Sequence, residues 1–214
     1  MGERADHTAQ FEADRTFLRS IELDLRPVAG QYDRQHLQQI HQRLFQDLPA
    51  FNPGVFRKPT PKGRDWVKRR TIEGSHFLVA YSSLDNKALD DMDAALAAHS
   101  SSILSGVPAE TLPAHMAQLY SAIDYAHPFN DGNSRALRVF TRQLAREAGY
   151  TLSWDALGQS SVAQARLYVA RDLAVNTLAL PNIRSDANRR DVLFALDVLA
   201  ENPTLAQLLK RAFQ

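Results

Sequence analysis

Apolar residues recur at helical spacing through most of this sequence. In residues 33–48, one face of a predicted helix carries Leu37, Ile40, Leu44, Phe45 and Leu48. The same kind of spacing recurs in residues 111–126, 134–149, 161–178, 189–200 and 203–213. These amphipathic segments predict an all-α fold. A chain of 214 residues can bury one good core, and no linker-like stretch divides it, so we expect a single domain over residues 1–214.

Three residues refine the predicted helices. His41 shares the apolar face of the first helix, which favours a buried core histidine over a ligand. Gly149 lies where a C-terminal cap of the third helix belongs, and Pro203 stands at the start of the last helix.

One stretch departs from the helical pattern. Residues 69–83 are rich in β-branched and aromatic side chains and contain Gly74, which predicts a short hairpin that lies on the helical body. Residues 57–70 are basic: they contain Arg57, Lys58, Lys62, Arg64, Lys68, Arg69 and Arg70. This segment fits either a solvated loop or a docking surface for an acidic partner or for the outer phosphates of a nucleotide.

Composition excludes several kinds of site and partner. The formal net charge of +1 argues against a dedicated DNA-binding protein. The absence of cysteine excludes disulfides, thiolate nucleophiles and cysteine-ligated metals, and it suits a reducing compartment. The N-terminus lacks the apolar core of a signal peptide, and no apolar run approaches the ~20 residues of a membrane helix. We therefore expect a cytoplasmic protein with neither a membrane nor a nucleic acid as its partner.

Residues 127–138, His-Pro-Phe-Asn-Asp-Gly-Asn-Ser-Arg-Ala-Leu-Arg, connect the second and third predicted helices. The preceding helix should end near Ala126 and the following one should start at about Ser134. The free N–H groups and positive dipole end of the following helix then face this loop and form an anion site. Gly132 permits a tight turn, and Asn133 or Ser134 is suited to cap the helix.

Charged side chains complete a site for a polyphosphate. Asp131 is suited to hold a hard divalent cation such as Mg²⁺. Arg135 and Arg138 lie on adjacent turns of one helix face and can grip phosphate oxygens. His127 has a side chain suited to remove a proton from an incoming hydroxyl. Each residue alone also fits an ordinary helix–helix turn, but their order favours the phosphate site.

The segment resembles the signature of the Fic family, His-x-Phe-x-Asp/Glu-Gly-Asn-Gly-Arg-x-x-Arg. The matching residues are His127, Phe129, Asp131, Gly132, Asn133, Arg135 and Arg138. Ser134 stands where the family usually has glycine. Residues 32–48 are also similar to the family, and the hairpin precedes the motif as the family's flap does. The resemblance covers about residues 30–180, which leaves 181–214 as a helical C-terminal extension.

The resemblance implies a Fic-type helical bundle with a short β-hairpin flap. It also implies an enzyme that transfers a nucleoside monophosphate, most often AMP from ATP, to a Tyr, Ser or Thr hydroxyl of a target protein. Mg²⁺ is the implied cofactor and ATP the implied substrate. Such a protein adenylyltransferase would act as a bacterial toxin or as an effector delivered into another cell.

The resemblance assigns roles residue by residue. His127 would be the general base, Phe129 the anchor of the loop in the core, and Asp131 the Mg²⁺ ligand. Arg135 would hold the β-phosphate and Arg138 the γ-phosphate. The anion cradle would consist of Gly132, Asn133 and Ser134. The flap would pair with an extended segment of the target by strand addition. The docking residues of the flap would be Ser75, His76, Phe77 and Leu78.

The serine at position 134 bears on the choice of donor. At a helix start with negative φ, serine fits well, whereas a positive φ would cost about 1 kcal/mol or more. We expect the negative φ, because Ser134 directly precedes a helical run. Relatives with altered cradles transfer UMP, phosphocholine or a phosphoryl group. AMP transfer is favoured here because Asp131, Gly132 and Arg138 are all present.

Many Fic enzymes are inhibited by a helix with the pattern Ser/Thr-x-x-x-Glu-Gly/Asn, whose glutamate pairs with the second motif arginine. Thr8 and Glu12 have the spacing but lack the final Gly or Asn, and Glu201 has the ending but follows Asp197 where Ser or Thr belongs. Glu201 is the candidate for a degenerate built-in inhibitor. A small separate antitoxin, or no inhibitor, is the favoured alternative.

Two other classes of function compete with this one. A catalytically silent Fic module serving as a binding domain would be expected to lose His127 or Asp131, and both are present. A helical metallohydrolase built on the seven histidines would need a spacing such as His-Glu-x-x-His, which does not occur.

Overall fold

The computed structural model describes residues 2–72 and 74–214. Within them the chain forms a helical body and one two-stranded antiparallel hairpin, so the predicted all-α fold with a hairpin is confirmed. The elements are α1 Gly2–Leu25, α2 Arg34–Phe45, β1 Trp66–Ile72, β2 Ser75–Tyr81, α3 Asn86–Ala98, α4 Ser101–Leu104, α5 Leu112–Ala126, α6 Asn133–Glu147, α7 Ser161–Ala179, α8 Asp186–Val198 and α9 Leu205–Leu209. In this described part of the chain, no helix has the length and apolarity needed to cross a membrane.

Helix α2 forms as its apolar spacing predicts. The Asp33 side chain caps it by accepting a hydrogen bond from the His36 N–H at 2.8 Å. All five apolar residues predicted for its buried face lie in the main core. His41 is fully buried on the same face, as expected.

Helices α5 and α6 supply the centre of the main core. Met116, Leu119, Tyr120 and Ile123 of α5 are completely buried, as the periodicity predicts. On α6 the buried residues include the predicted Leu137, Phe140 and Leu144. These two helices are joined by residues 127–132, so the candidate motif is anchored at both ends by helices of the main core.

The sequence signals at Gly149 and Pro203 have different outcomes in the structure. Gly149 follows α6 with a φ of +91°, and the Tyr150 N–H donates to the Ala145 carbonyl at 2.8 Å, as in a glycine-capped helix end. Pro203 does not begin the last helix, because Thr204 is the N-cap of α9 and forms a capping box with Gln207.

Three helices, α1, α3 and α4, were not among the six predicted from apolar spacing. Helix α1 turns a largely polar face toward α2 and α6, and Arg19 lies 2.8 Å from the Asp47 carboxylate. Its large apolar residues Phe17, Leu18 and Ile21 are exposed. Apolar periodicity identifies helices that bury an apolar face, so it could not predict how α1 packs.

The hairpin begins earlier in the chain than expected. Strand β1 starts at Trp66 rather than at residue 69, so the end of the basic segment is strand and not loop. Trp66 pairs with Tyr81 and Ile72 with Ser75, and Gly74 turns between the strands with a φ of +81°. Strand β2 packs against α7 and α8. The next residue, Ser82, donates its N–H to the Tyr125 carbonyl at 2.9 Å, so this end of the hairpin lies beside the end of α5.

Candidate active site

The loop between α5 and α6 is held by its own side chains. His127 ends α5 in a left-handed conformation, with a φ of +46°, and its N–H donates to the Ile123 carbonyl at 3.0 Å. The Asn133 side-chain amide then bonds both backbone groups of Phe129, accepting from its N–H at 2.9 Å and donating to its carbonyl at 2.8 Å. Phe129 is fully buried, so it anchors the loop in the core as its place in the motif predicts.

Gly132 is required by the shape of this loop. It has a φ of +75°, and an added Cβ would overlap the ring of Phe45. Any side chain here would therefore be strained by the backbone and would displace the packing beneath the loop.

The predicted cap of α6 is wrong. Gly132 is the N-cap, no side chain caps the helix, and Asn133 is its first residue, one position before the expected start at Ser134. The Asn133 amide turns back to the loop, and the Ser134 hydroxyl accepts from Arg171 Nη1 at 3.1 Å. Because neither side chain occupies the helix N-terminus, its N–H groups are available to an anion.

Ser134 has a helical backbone, and its φ is not positive, as expected for a helix start. Its partner Arg171 is buried on α7 and makes a two-pronged ion pair with Asp124 of α5, with Nη2 lying 2.8 Å from Oδ2. Nε and Nη2 of the buried guanidinium donate to the Asp124 carboxylate, and Nη1 donates to the Ser134 hydroxyl. This side chain therefore ties the start of α6 to α7, which a glycine at that position could not do.

His127 lies at the bottom of the candidate site. Its Nε2 is 2.9 Å from Lys68 Nζ of β1, and its ring packs on Tyr81 of β2 with centroids 4.1 Å apart. Burial, reinforced by Lys68, Arg57 and other nearby cations, lowers the pKa of His127 to about 2. The imidazole is therefore neutral.

Arg57, from the basic segment, is buried and joins the flap to the motif loop. Its Nε donates to the His127 carbonyl at 2.8 Å, its Nη2 donates to the Ser82 carbonyl at 2.7 Å, and its own N–H donates to the Pro128 carbonyl at 2.7 Å. This arginine is neither a solvated side chain nor a docking group. It fixes the end of β2 against His127.

Asp131 and Arg135 lie at the open side of the site. The Asp131 side chain is 70% exposed, and its Oδ1 is 3.7 Å from Arg135 Nη2. The Arg135 guanidinium stands over Phe45 and Phe51, 4.9 Å from each ring centre, and its Nη1 is 3.4 Å from the Thr16 hydroxyl of α1. An oxygen ligand and a cation are thus held side by side above the helix N-terminus.

One cavity brings most of the predicted residues together. Its lining includes His127, Asp131, Gly132, Asn133, Ser134 and Arg135 from the motif. Four further residues line it that the motif does not contain, namely Lys68, Arg70, Tyr168 and Arg171. The sequence identifies Lys68 and Arg70 only as part of a basic segment. Because they are two positions apart on a strand, they share one face, and this spacing is the signal that could have placed them together. Nothing in the pattern of α7 distinguished Tyr168 or Arg171.

Arg138 is not among the residues that line this cavity. It is half-buried on α6, with its guanidinium 5.9 Å from the ring centre of Trp154. Its Nε is buried and has no hydrogen-bond partner in the described part of the chain. Its predicted role at the γ-phosphate stays a prediction.

The two glutamates that partly match the inhibitory pattern lie in different places. Glu201 follows α8 and lines a separate groove that includes Arg166 and Arg211, and no ion pair or hydrogen bond joins it to Arg138 among the described residues. Glu12 lies on α1, where its negative charge raises the pKa of Arg135 against the larger lowering effect of burial.

The flap residues predicted to dock the target differ in exposure. Ser75 and His76 are exposed, whereas Phe77 and Leu78 are buried. Asn176 of α7 also covers the outer edge of β2, because its amide donates to the Leu78 carbonyl at 2.9 Å and accepts from the Ala80 N–H at 3.0 Å.

Comparisons with known proteins identify relatives of this chain. The sequence profile described as the Fic/DOC family matches residues 31–145. The protein adenylyltransferase VbhT of Bartonella schoenbuchensis is 28% identical over 151 residues, which are 71% of this chain and 29% of that protein. The chain thus spans less than a third of the length of that relative. The probable protein adenylyltransferase Fic of Salmonella typhimurium is 29% identical over 163 residues, which are 76% of this chain and 73% of that protein.

A solved structure shares the fold. It is the N-terminal Fic domain of a VirB-translocated Bep effector protein from Bartonella quintana with bound ADP. The match has a TM-score of 0.60 and 21% identity, and it covers 94% of this chain and 87% of that one.

Proposed function

We propose that this chain, which belongs to the Fic/DOC family, is a protein adenylyltransferase that moves AMP from ATP to a Tyr, Ser or Thr hydroxyl of a target protein. One observation carries the proposal: the imidazole Nε2 of His127 faces the same cavity as the uncapped N-terminus of α6 with Asp131 and Arg135. A base and an anion cradle are thus arranged around one space. Two relatives named as protein adenylyltransferases support the same activity.

The chemistry follows from this arrangement. The target hydroxyl loses its proton to the His127 lone pair, and its oxygen attacks the α-phosphorus of ATP. The bond from the α-phosphorus to the bridging oxygen of the β-phosphate breaks, and pyrophosphate leaves. The backbone N–H groups at the start of α6 and the Arg135 guanidinium stabilise the charge of the phosphates, which is most of what such a transfer asks of a protein.

The donor groups present fit Mg²⁺. Mg²⁺ usually takes one or two protein carboxylates and completes its shell with water and substrate phosphates. Asp131 offers one exposed carboxylate at the rim of the anion cradle, and no cluster of three acidic or imidazole ligands occurs among the described residues. When bound there with the nucleotide, Mg²⁺ would neutralise phosphate charge. Arg138, on the same face of α6 as Arg135, is proposed to reach the γ-phosphate.

Docking of the target by strand addition is proposed at β1. Asn176 already bonds the outer backbone groups of Leu78 and Ala80 in β2. Their register partners Arg69 and Val67 direct their own N–H and carbonyl groups to the outer edge of β1. Ser75 and His76, which are exposed at the tip of the hairpin, would flank the added segment, and the buried Phe77 and Leu78 would hold the flap on the body.

The wider setting is proposed on the same basis. The chain is a single Fic domain over residues 1–214, with a family-like core at about 30–180 and a helical extension at 181–214. It acts in the cytoplasm of the producing bacterium as a toxin, or in that of a host cell as an effector. A small separate antitoxin is the proposed source of inhibition, and neither a membrane nor a nucleic acid is a proposed partner.

The test is incubation of the purified protein with Mg²⁺, a cell lysate and ATP labelled on either the α- or the γ-phosphate. AMP transfer predicts that protein bands carry the α-label only, and that His127→Ala loses them. A γ-label on protein would show phosphoryl transfer instead. UTP and a phosphocholine donor, tested in the same lysate, would reveal a different donor, and no labelling from any of them would contradict the proposed enzyme class.

A further inference from the structure

The contact between Lys68 and His127 has a direct chemical consequence. An ammonium group has three donors and no acceptor, so the Lys68 Nζ, 2.9 Å from Nε2, must donate to the imidazole. The Nε2 lone pair is then occupied, and the ring proton of the neutral imidazole lies on Nδ1. Nδ1 is buried and has no hydrogen-bond partner among the described residues, so Lys68 alone orients the ring by a hydrogen bond.

Lys68 also differs from the other cations around the cavity. Arg171 is paired with Asp124 at 2.8 Å, Arg70 with Asp172 at 3.6 Å, and Arg135 with Asp131 at 3.7 Å. Lys68 makes no ion pair with a described carboxylate, although burial and the charge of Arg70 disfavour its charged form. An anion brought into the cavity is therefore the partner that this ammonium lacks.

The location of Lys68 permits that exchange. Its Nζ reaches His127, and it lines the same cavity as the residues at the N-terminus of α6. Its four-carbon stem is flexible, and an ammonium is a compact point charge that binds phosphate without a fixed geometry.

We propose that the Lys68 ammonium occupies the lone pair of His127 until the phosphates of a bound nucleotide draw it away, so that the base becomes free only when the donor is present. Lys68 is thus a positioning residue for His127 in the free protein and a phosphate ligand in the complex. The inference rests on the proposed function for the identity of the donor. It adds a residue outside the motif to the machinery.

Two measurements that involve no transfer test this role. The first is ¹⁵N NMR of the His127 ring, and the second is the affinity for the non-hydrolysable ATP analogue AMPPNP with Mg²⁺. In the unliganded protein we expect the Nδ1–H tautomer, and AMPPNP should change the Nε2 resonance as the lysine leaves. Lys68→Met keeps the length of the side chain without its charge. It should give mixed tautomers and about tenfold weaker AMPPNP binding, as for the loss of one charge-assisted hydrogen bond.

Matched controls separate this role from a general disturbance. Arg69→Met removes a cation from the next position of β1, on the opposite face, and should change neither the His127 tautomer nor the AMPPNP affinity. Adenosine, which lacks phosphates, should bind Lys68→Met and the unchanged protein equally.

Either of two results would overturn the proposal. One is AMPPNP affinity in Lys68→Met equal to that of the unchanged protein, and the other is an Nε2 resonance that AMPPNP leaves unmoved. If these measurements come out as expected but the unchanged protein transfers no AMP, the proposed function fails and the role of Lys68 stands. If transfer occurs and Lys68→Met matches the unchanged protein in both, only the role of Lys68 fails.

Discussion

His41 stacks on Phe129 with ring centroids 3.7 Å apart and an angle of 11° between the rings. Its Nδ1 accepts from the Gly54 N–H at 3.0 Å, so its Nε2 carries the proton and donates to the Asp131 carbonyl at 3.0 Å. A core histidine of α2 thereby fixes both the anchor of the motif loop and the backbone of the proposed Mg²⁺ ligand.

Replacement of His41 should therefore affect stability and nucleotide binding together. His41→Ala removes a fully buried ring and leaves the Asp131 carbonyl and the Gly54 N–H without partners, which should lower the free energy of unfolding by about 3 kcal/mol. Urea unfolding measures this loss, and calorimetry should show weaker Mg-ATP binding. His115→Ala, at a half-buried position of α5, is the control, and an equal loss in both variants would remove the special role of His41.

Stability should fall as the solution becomes acidic. Burial lowers the pKa of His41 to about 4 and that of His127 to about 2, against 6.5 for an ordinary histidine. Below pH 6.5 the unfolded chain therefore binds more protons than the folded one, and the free energy of unfolding decreases between pH 6.5 and 4 by on the order of 2–3 kcal/mol per histidine. Urea unfolding from pH 7 to 4.5 measures this slope. His127→Asn should make this slope shallower and leave the contribution of His41, and an unchanged slope would mean that His127 titrates normally in the folded protein.

Mutations of the general base and of the proposed Mg²⁺ ligand should have different effects on AMP transfer and on nucleotide binding. His127→Ala should eliminate AMP transfer and leave Mg-ATP affinity within about tenfold, because the cradle does not depend on the imidazole. Asp131→Ala should weaken Mg²⁺-dependent binding and transfer together. Single-turnover transfer and calorimetry check both. If His127→Ala transferred AMP at the rate of the unchanged protein, another group would have to be the general base.

Ser134 should matter more for stability than for nucleotide binding. Ser134→Gly removes the acceptor of Arg171 Nη1 and adds backbone freedom at the start of α6, so it should cost about 1–2 kcal/mol. Ser134→Ala isolates the hydroxyl from the backbone effect. Both variants keep the N–H at position 134, so AMPPNP affinity should change by less than about threefold, a difference under 1 kcal/mol. A larger loss of affinity would mean that the hydroxyl itself contacts the nucleotide.

The sequence predicted those features that depend on residues close together in the chain. Apolar spacing predicted α2, α5 and α6, and the spacing of His127, Asp131 and Arg135 predicted that they flank one helix start. Contacts distant in sequence were not predictable in the same way. The Lys68–His127 contact needs a strand register, which a period-2 pattern alone does not fix. The caps predicted for α6 failed because both side chains have other partners. Asn133 bonds the backbone of Phe129, four residues earlier in the same loop, and Ser134 bonds Arg171 of α7.

Inhibition within the chain gives the last prediction. A built-in inhibitor must compete with phosphate for the motif arginines. Glu201 lines a groove outside the cavity, so Glu201→Gly should leave transfer and ATP affinity unchanged.

Glu12 is the contrasting variant, because its charge acts on Arg135 from α1. Removing a negative charge near an anion site should strengthen ATP binding, and for a partly exposed carboxylate we expect about two- to fivefold in Glu12→Gly. Calorimetry with AMPPNP and the rate of AMP transfer, measured on both variants side by side, distinguish the two glutamates. Strong activation of Glu201→Gly, lost again when Arg138 is also replaced, would instead identify the C-terminal glutamate as the inhibitor. The groove it lines would then have to open toward α6 in solution.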